Sequence, residues 1–327
     1  MMPVHQSVLD SIGNTPMLTL SLQHKDHACP IHAKLEFMNP SGSIKDRIAR
    51  HIVEQAEMKG LLKPGYTIVE ATSGNTGIAL SMVAAAKGYR MIVVMPEHMT
   101  GERIRMMANL GANVCLTPRE KGFEGAVERA DAIAKSGGHF FLGNQFRNQD
   151  NIMAHYHTTG REILRQVGGD VDCFVAGVGT GGTLMGVGRA LRENNPETRL
   201  VAVEPEEAAI LSGRKDMLDH KIAGIGDGFV PEIVDTSMID QIIAVRSDDA
   251  VEMARQLSLG QGLPVGISSG ANVLASLKVL DDIGYDKKLV TVLPDRTERY
   301  FSTDLYVASE RMVRCCSKHC ECRFQRF

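Results

Sequence analysis

The sequence lacks long apolar runs and carries little net charge. No stretch approaches the roughly 20 apolar residues of a membrane-spanning helix, and the formal net charge at pH 7 is −3 over 327 residues. Neither a membrane partner nor the basic surface of a nucleic-acid-binding protein is therefore indicated. The opening residues, MMPVHQSVLD, also lack the basic and then apolar pattern of a signal peptide. We expect a cytoplasmic protein that acts on small molecules.

Cysteine is sparse in the body of the chain and concentrated near its end. Three scattered cysteines, at positions 29, 115 and 173, are typical of reduced thiols in a cytosolic protein. The other four lie in VRCCSKHCECRF, at Cys315, Cys316, Cys320 and Cys322. With His319 they could ligate zinc, but their spacing fits no standard knuckle and no second cluster faces them. We expect no metal site, and we expect residues 307–327 to form a flexible Cys-rich tail.

Short β-branched runs alternate with helical stretches along most of the chain. The strand candidates are 32–37, 67–72, 91–96, 113–118, 173–178, 200–205 and 289–294. Several are continuous apolar runs, which is typical of strands covered by helices on both faces. Segments with apolar residues at helical spacing lie between them, at 102–112, 123–138 and 248–262. The alternation predicts an α/β protein with mostly parallel sheets, and the length of the chain suits two domains.

The first candidate site is the segment NPSGSIKDR, residues 39–47. Isoleucines four residues apart predict a helix that begins near Ser43, with Ser43 and Asp46 as a capping-box-like pair. Lys45 then lies in the first turn, where the positive helix end disfavours its ammonium form, and partial burial would lower its pKa further. A partly neutral lysine forms Schiff bases with aldehydes. The alternative is a solvated lysine at a polar helix start.

The second candidate site is EATSGNTGIAL, residues 70–80, where a strand runs into a helix through a turn freed by glycine. The turn places hydroxyl and amide side chains beside backbone N–H groups, at Thr72, Ser73, Asn75 and Thr76. Such a turn at a helix N-terminus predicts a cradle for an anion such as a carboxylate. Simple N-capping is the alternative, but it requires fewer polar side chains.

The third candidate site is AGVGTGGTLMGVG, residues 176–188. Its glycines match G-x-G-x-x-G, and Glu204 ends the next strand, where a dinucleotide fold places its ribose-binding acid. An NAD(P)-dependent oxidoreductase is therefore an alternative. Thr180 and Thr183 suit a single phosphate monoester, however, and a dinucleotide site leaves Lys45 without a role. The sequence has no G-x-x-x-x-G-K-[ST] pattern, so a P-loop nucleotidase is not indicated.

Taken together, five ordered motifs resemble the fold-type-II pyridoxal-phosphate enzymes. They are NPSGSIKDR, TSGNTGIAL, GVGTGGTL, GIGDGFVPEIVD and GISSGANV. The chain is most similar to the cysteine synthase (O-acetylserine sulfhydrylase) and cystathionine β-synthase family, from about residue 7 to residue 306. The resemblance implies two three-layer domains, as in the tryptophan synthase β subunit. Residues 38–148 would form the smaller domain, and residues 1–37 with 149–306 the larger one.

The resemblance also implies roles for individual residues. Lys45 would hold pyridoxal 5′-phosphate as an imine and later act as the base, and Asn75 would contact the cofactor 3′-oxygen. Ser268 would hydrogen-bond the pyridine nitrogen, although capping of a helix is the alternative for this serine. The cofactor phosphate would be held by Gly179, Thr180, Gly181, Gly182 and Thr183. The substrate carboxylate would be bound by Thr72, Ser73, Thr76 and Gln145.

The implied reaction is a β-replacement, in which O-acetylserine and sulfide give cysteine and acetate through an aminoacrylate intermediate. The family resemblance further implies a homodimer and docking of a serine acetyltransferase. O-phosphoserine or serine as the donor, and homocysteine or an amine as the nucleophile, stay open, because the chain departs from the usual family pattern around the mouth of the site. Thr297, which follows Arg296, stands where a glycine is usual, and Asp227 replaces a small residue. Asp227 argues against a phosphorylated donor, since like charges would meet in a partly dry site.

Overall fold

The computed structural model describes residues 4–214 and 218–306 as an α/β protein with two sheets. The strands are β1 (Met17–His24), β2 (His27–Lys34), β3 (Thr67–Ala71), β4 (Arg90–Pro96), β5 (Asn113–Thr117), β6 (Phe140–Leu142), β7 (Cys173–Gly177), β8 (Arg199–Pro205), β9 (Gln241–Val245) and β10 (Leu289–Val292). The helices are α1 (Lys45–Met58), α2 (Asn75–Lys87), α3 (Gly101–Asn109), α4 (Gly122–Lys135), α5 (Asp150–His155), α6 (Arg161–Val167), α7 (Gly182–Asn194), α8 (Ser247–Gln261) and α9 (Ile267–Ile283).

The two sheets differ in size but are both mostly parallel. The larger has six strands in the order β1-β2-β10-β7-β8-β9, and the smaller has four in the order β5-β4-β3-β6. Only the β1–β2 hairpin is antiparallel among these described pairs. The predicted α/β fold with mostly parallel sheets is confirmed.

Helices cover both faces of each sheet, as the continuous apolar runs predict. On β7, Val175 faces the core made with α8 and α9, whereas Phe174 faces the core made with α7. In the smaller sheet, Ile68 of β3 packs with α1 and α2, and the adjacent Val69 packs with α4. Alternate residues of one strand thus enter opposite cores, which is why these strands lack a polar face.

Some elements differ from the sequence prediction. The candidate strand at 32–37 ends at Lys34 and turns into a short 3-10 helix, Glu36–Met38. Strands β1, β6 and β9 were not among the candidates. β1 exposes many of its residues, and β6 has only three residues, none of them fully buried. Neither pattern resembles a buried apolar run.

The domain boundaries at residues 38 and 148 stay a prediction. The chain leaves the larger sheet after β2 and returns to it with β7. The predicted Cys-rich tail at 307–327 lies outside the described residues. Within the described part of the chain, no helix combines the length and apolarity needed to cross a membrane.

The start of α1 differs in detail from the prediction. The helix begins at Lys45, and the predicted capping box is wrong: Ile44 is the N-cap residue and makes no side-chain cap. Asp46 instead accepts a hydrogen bond from the backbone N–H of Ser41 at 2.7 Å. The backbone N–H of Ile44 donates to the carbonyl of Pro294 at 2.8 Å. This hydrogen bond ties the start of α1 to the loop that follows β10.

A buried ion cluster anchors the next turn of α1. Arg47 donates through Nε to Glu36 at 2.6 Å and through Nη1 to Glu162 at 2.7 Å. Glu162 also pairs with Lys34 at 2.7 Å. Burial disfavours the charge of Glu162, but its bonds to Arg47 and Lys34 prevail and lower its pKa to about 2. The cluster fixes α1 against β2 and α6, and so fixes the position of Lys45.

Candidate active site

One cavity collects the residues predicted from separate segments of the sequence. It has a volume of about 850 Å³ including its open mouth. It lies at the carboxyl ends of β3, β7 and β10, where parallel α/β sheets commonly bind ligands. Its walls include the predicted residues Lys45, Thr72, Ser73, Asn75, Thr76, Gln145, Gly179, Thr180, Gly181, Thr183 and Ser268. Gly182, the remaining predicted residue, directly follows Gly181 as the first residue of α7.

Lys45 is the first residue of α1 and is partly buried in the cavity wall. Burial lowers its pKa below the usual range, although the carboxylates of Asp227 and Asp295 favour its charged form. Lys34, a fully buried lysine, is paired with Glu162 at 2.7 Å. The amine of Lys45 has no such ion pair within residues 4–214 and 218–306. The predicted reactive amine therefore lies in the predicted kind of environment.

The glycine turn before α7 is held in tight backbone contact with a neighbouring loop. A Cβ on Gly179 would lie 2.1 Å from the carbonyl oxygen of Gly224, and Gly181 has a φ of +82°. Side chains larger than glycine therefore do not fit either position without a shift of the backbone. The turn leads into the N-terminus of α7, whose free N–H groups suit a phosphate.

Hydroxyl groups of the same turn are held by buried neighbours. Thr180 Oγ1 accepts from Asn151 Nδ2 at 3.0 Å and from the N–H of Gly182 at 3.3 Å. Thr183 Oγ1 lies 3.3 Å from Nε2 of His155. Burial and the charges of Arg47 and Lys45 lower the pKa of His155 well below its usual value. This histidine is therefore neutral and adds no charge to the site.

The turn before α2 forms a second cradle. The N–H of Gly74 donates to Thr72 Oγ1 at 3.0 Å, and Thr76 donates to Gln145 Oε1 at 2.6 Å. Gln145 donates in turn to the carbonyl of Ala71 at 3.2 Å. These bonds bring Gln145 beside the helix N-terminus, although 69 residues separate it from Thr76. The arrangement suits the binding of a carboxylate.

Arg103 of α3 completes this cradle and was missed in the sequence. It is 5% exposed and lines the cavity, and a Cβ on Gly74 would lie 2.4 Å from its Cδ. Its Nη1 donates to Thr100 Oγ1 at 3.3 Å, and its guanidinium stacks 5.1 Å from the ring centroid of Tyr300. It has no carboxylate partner in the described part of the chain. A buried guanidinium without a counter-ion suits an anionic ligand.

Asn75 and Asp295 form a polar pair on the cavity wall. Asn75 Nδ2 donates to Asp295 Oδ2 at 2.6 Å, and Tyr300 donates to the same oxygen at 2.8 Å. Asn75 Oδ1 and Asp295 Oδ1 are buried and have no hydrogen-bond partner among the described residues. Buried polar atoms of this kind are costly unless a ligand satisfies them. Asp295 follows β10 in the loop that ties down α1, and nothing in the local sequence pattern identifies it.

These groups fit pyridoxal 5′-phosphate. An aldehyde requires an uncharged amine, which Lys45 can provide, and a phosphate requires the N–H groups and hydroxyls before α7. Ser268 is buried at the start of α9 and provides a neutral hydroxyl on the same cavity wall. Asn75 and Asp295, whose Oδ1 atoms are buried without a partner among the described residues, also line this cavity. Within the described residues no cluster of metal-ligating side chains occurs.

Comparison with known proteins gives the same class. A family model described as pyridoxal-phosphate dependent enzyme matches residues 8–295, and the chain therefore belongs to this family. A cysteine synthase of Staphylococcus aureus is 45% identical over 301 residues, which cover 92% of this chain and 96% of the relative. Within the family, the chain thus falls in the branch of cysteine synthase and cystathionine β-synthase.

Solved structures extend this comparison. An O-ureido-L-serine synthase is 43% identical with a TM-score of 0.88, and the match covers 93% of this chain and 95% of that one. An O-acetylserine dependent cystathionine β-synthase from Helicobacter pylori is 37% identical with a TM-score of 0.87, covering 94% and 100%. The chain is an enzyme that uses pyridoxal 5′-phosphate for β-replacement on an activated serine.

The dinucleotide alternative does not hold. Glu204 is 2% exposed, and its carboxylate accepts from the N–H groups of Leu211 at 2.8 Å and Ser212 at 3.1 Å. It anchors a loop after β8 and is not free to bind a ribose. The G-x-G-x-x-G match reflects the tight turn that any phosphate site at a helix N-terminus requires.

Proposed function

We propose that this enzyme makes L-cysteine and acetate from O-acetyl-L-serine and sulfide. The observation that carries the proposal is the convergence of Lys45, the carboxylate cradle and the phosphate turn on one cavity. The similarity to a cysteine synthase over 92% of the chain supports the same choice of reaction. Asp227 on the cavity wall disfavours O-phosphoserine as donor, because two anionic groups would meet there.

The cofactor would be held by residues of both sheets. Lys45 would be its attachment point, and Asn75 and Ser268 would contact its ring. Its phosphate would be bound by Gly179, Thr180, Gly181, Gly182 and Thr183. When bound, pyridoxal 5′-phosphate supplies an aldehyde that captures the substrate amine and a ring that accepts electrons from Cα.

Lys45 would also move the proton at the substrate Cα. Burial lowers the pKa of its amine, so that a neutral Nζ can accept this proton and later return it. The carboxylates of Asp227 and Asp295 stabilise the ammonium that forms. Asp295 is itself held in position by hydrogen bonds from Asn75 and Tyr300.

The substrate carboxylate would lie at the N-terminus of α2. Thr72, Ser73, Thr76 and Gln145 would provide hydrogen bonds there, and Arg103 would provide the counter-charge. Arg103 lies against Gly74 and is almost completely buried. It has no carboxylate partner in the described chain. Binding of an anion would therefore satisfy a group that is costly in the free enzyme.

Assembly is proposed on the family resemblance, and location on the sequence pattern. We propose a cytoplasmic homodimer with domains at 38–148 and at 1–37 with 149–306, and a serine acetyltransferase as partner. Light scattering of the purified protein tests the dimer, for which a monomeric mass would be the contrary result.

The donor is identified by a visible-absorbance titration of the holoenzyme with O-acetylserine, O-phosphoserine and serine separately. We expect O-acetylserine to change the cofactor band fastest, and sulfide then to restore it with formation of cysteine. The Lys45→Ala variant is the control and should form no cysteine. A faster response to serine or O-phosphoserine would contradict the proposed donor.

A further inference from the structure

Asp227 lies where the cofactor cavity meets a larger outer cavity. It lines the same cavity as Lys45, and with Phe146 it also lines the outer one, which has a volume of about 1570 Å³ including open solvent. A molecule that enters through the outer cavity therefore passes the Asp227 carboxylate on its way to Lys45.

The loop that carries Asp227 is held in place. The N–H of Gly226 donates to the carbonyl of Val178 at 3.3 Å, and Nε2 of His220 lies 3.0 Å from the carbonyl oxygen of Gly226. Gly226 and Gly228, on either side of Asp227, have φ values of +74° and +89°. The backbone conformation that presents the carboxylate is thus one that favours glycine at both neighbours.

The Asp227 side chain has no hydrogen-bond or ion-pair partner within residues 4–214 and 218–306. Burial raises its pKa, although the charges of Lys45 and His220 favour the carboxylate. Asp227 is partly buried, and a partly buried carboxylate without a partner costs stability. No packing or pairing in the described chain offsets this loss of stability, which points to a chemical role.

The chemistry of the nucleophile indicates that role. Hydrosulfide arrives as an anion and needs no base, whereas water must lose a proton as it attacks. Under the proposed function Lys45 accepts the proton of Cα, so a second group is required to accept the proton of water. A partly desolvated carboxylate that lines both the outer cavity and the cavity of Lys45 is suited to this task.

We propose that Asp227 is a second general base, which takes a proton from water and lets the enzyme also replace the β-substituent by hydroxyl, giving L-serine. With O-acetylserine, the bond from Cβ to the acetyl oxygen breaks and acetate leaves with the electron pair. The water oxygen forms the new Cβ–O bond, its proton goes to Asp227, and Lys45 returns the proton to Cα. L-cysteine is a donor by the same route, with hydrosulfide as the leaving group.

The inference rests on the proposed β-replacement and is tested with oxygen-18 water. Holoenzyme is incubated with O-acetylserine in labelled water without sulfide, and the serine formed is analysed by mass spectrometry. Replacement at Cβ puts the label in the serine hydroxyl, whereas ester hydrolysis does not. We expect labelled serine from the wild type and about a 100-fold lower rate from Asp227→Asn. Cysteine formation with sulfide should fall far less than serine formation in that variant, because hydrosulfide needs no base and Asp295 still favours the charged form of Lys45.

Glu232→Gln is the matched control. Glu232 lines the outer cavity, is exposed, and pairs with Arg147 at 2.6 Å. Its substitution removes a nearby negative charge but not the carboxylate that lines the cavity of Lys45, so labelled serine should form as in the wild type. A carbon-13 NMR titration of apo-protein labelled at aspartate should show, besides the raised pKa of Asp46, a second carboxyl with a raised pKa that is missing in Asp227→Asn.

Two results would overturn the inference. One is equal formation of labelled serine by the wild type and Asp227→Asn, and the other is serine without label from the wild type. If cysteine still forms with sulfide in those cases, the proposed function stands and this inference fails. If labelled serine forms but cysteine does not, the proposed sulfide reaction fails and the role of Asp227 stands.

Discussion

At the scale of single residues, the sequence identifies groups that belong to local motifs and misses those that do not. Lys45, Thr76 and Gly179 lie in turns whose composition exceeds what capping requires, so each could be found from its neighbours in the chain. Arg103 lies in an ordinary amphipathic helix, and Asp295 follows a strand in a loop. Their roles depend on which distant residues they meet, and no local pattern carries that information.

Glu70 provides a test of how burial of one carboxyl changes its pKa and the stability of the protein. It lies on β3 with 2% exposure, its Oε2 has no partner in the described chain, and burial raises its pKa to about 8. In the unfolded chain its pKa returns to the ordinary value of 4.5. The stability due to the neutral carboxyl is therefore fully present below the unfolded pKa. It is lost as pH rises to the folded pKa, at about 1.4 kcal/mol per pH unit.

We expect Glu70→Gln to remove this pH dependence and to be more stable than the wild type at mildly alkaline pH. Urea unfolding at several pH values between those two pKa values measures how the free energy of unfolding depends on pH. Glu197→Gln, at an exposed position, is the control and should retain the wild-type slope. Identical slopes for the wild type and Glu70→Gln would show that burial does not set the protonation state of this carboxyl.

At the scale of elements, long buried runs were predictable and short or exposed strands were not. β7 and β8 consist almost entirely of buried residues, and both were expected. β9 has only two buried residues, at Ile243 and Val245, and its mixed pattern gives little signal. The start of α1 was placed within two residues of Ser43, but its capping was wrong because Asp46 bonds to Ser41 instead. Such choices depend on tertiary contacts more than on local preference.

The turn before α7 provides a prediction at this scale. A Cβ on Gly179 would meet the backbone oxygen of Gly224 at 2.1 Å, so one of the two loops must move. Overpacking of this kind typically costs about 1–3 kcal/mol, so Gly179→Ala should bind the cofactor roughly tenfold more weakly or worse. Titration of apo-protein with pyridoxal 5′-phosphate, followed by absorbance, measures the affinity.

Gly260→Ala is the control for a glycine without close neighbours. Gly260 lies in α8, and no heavy atom would lie within 4 Å of its added Cβ. Alanine there should stabilise the helix by about 0.5–1 kcal/mol and leave cofactor affinity unchanged. An affinity of Gly179→Ala equal to that of the wild type would contradict the tight-turn account.

At the scale of the whole molecule, the site exists because two parallel sheets direct strand ends to one cavity. β3 of the smaller sheet supplies the carboxylate cradle, and β7 of the larger sheet supplies the phosphate turn. The fold class was predictable, since alternating strands and helices permit few architectures. The pairing of the two sheets across the cavity was not, except through the resemblance to a family, because it depends on contacts between residues far apart in the chain.

The central claim is that Lys45 carries the cofactor, and borohydride reduction of the holoenzyme tests it most directly. Lys34 is the internal comparison for Lys45, because Lys34 is fully buried and paired with Glu162 and should carry no cofactor. After tryptic digestion, we predict a phosphopyridoxyl mass increase on the peptide of residues 35–47, localised to Lys45, and none in the Lys45→Ala variant. An adduct on another lysine, or no adduct on that peptide, would contradict the account.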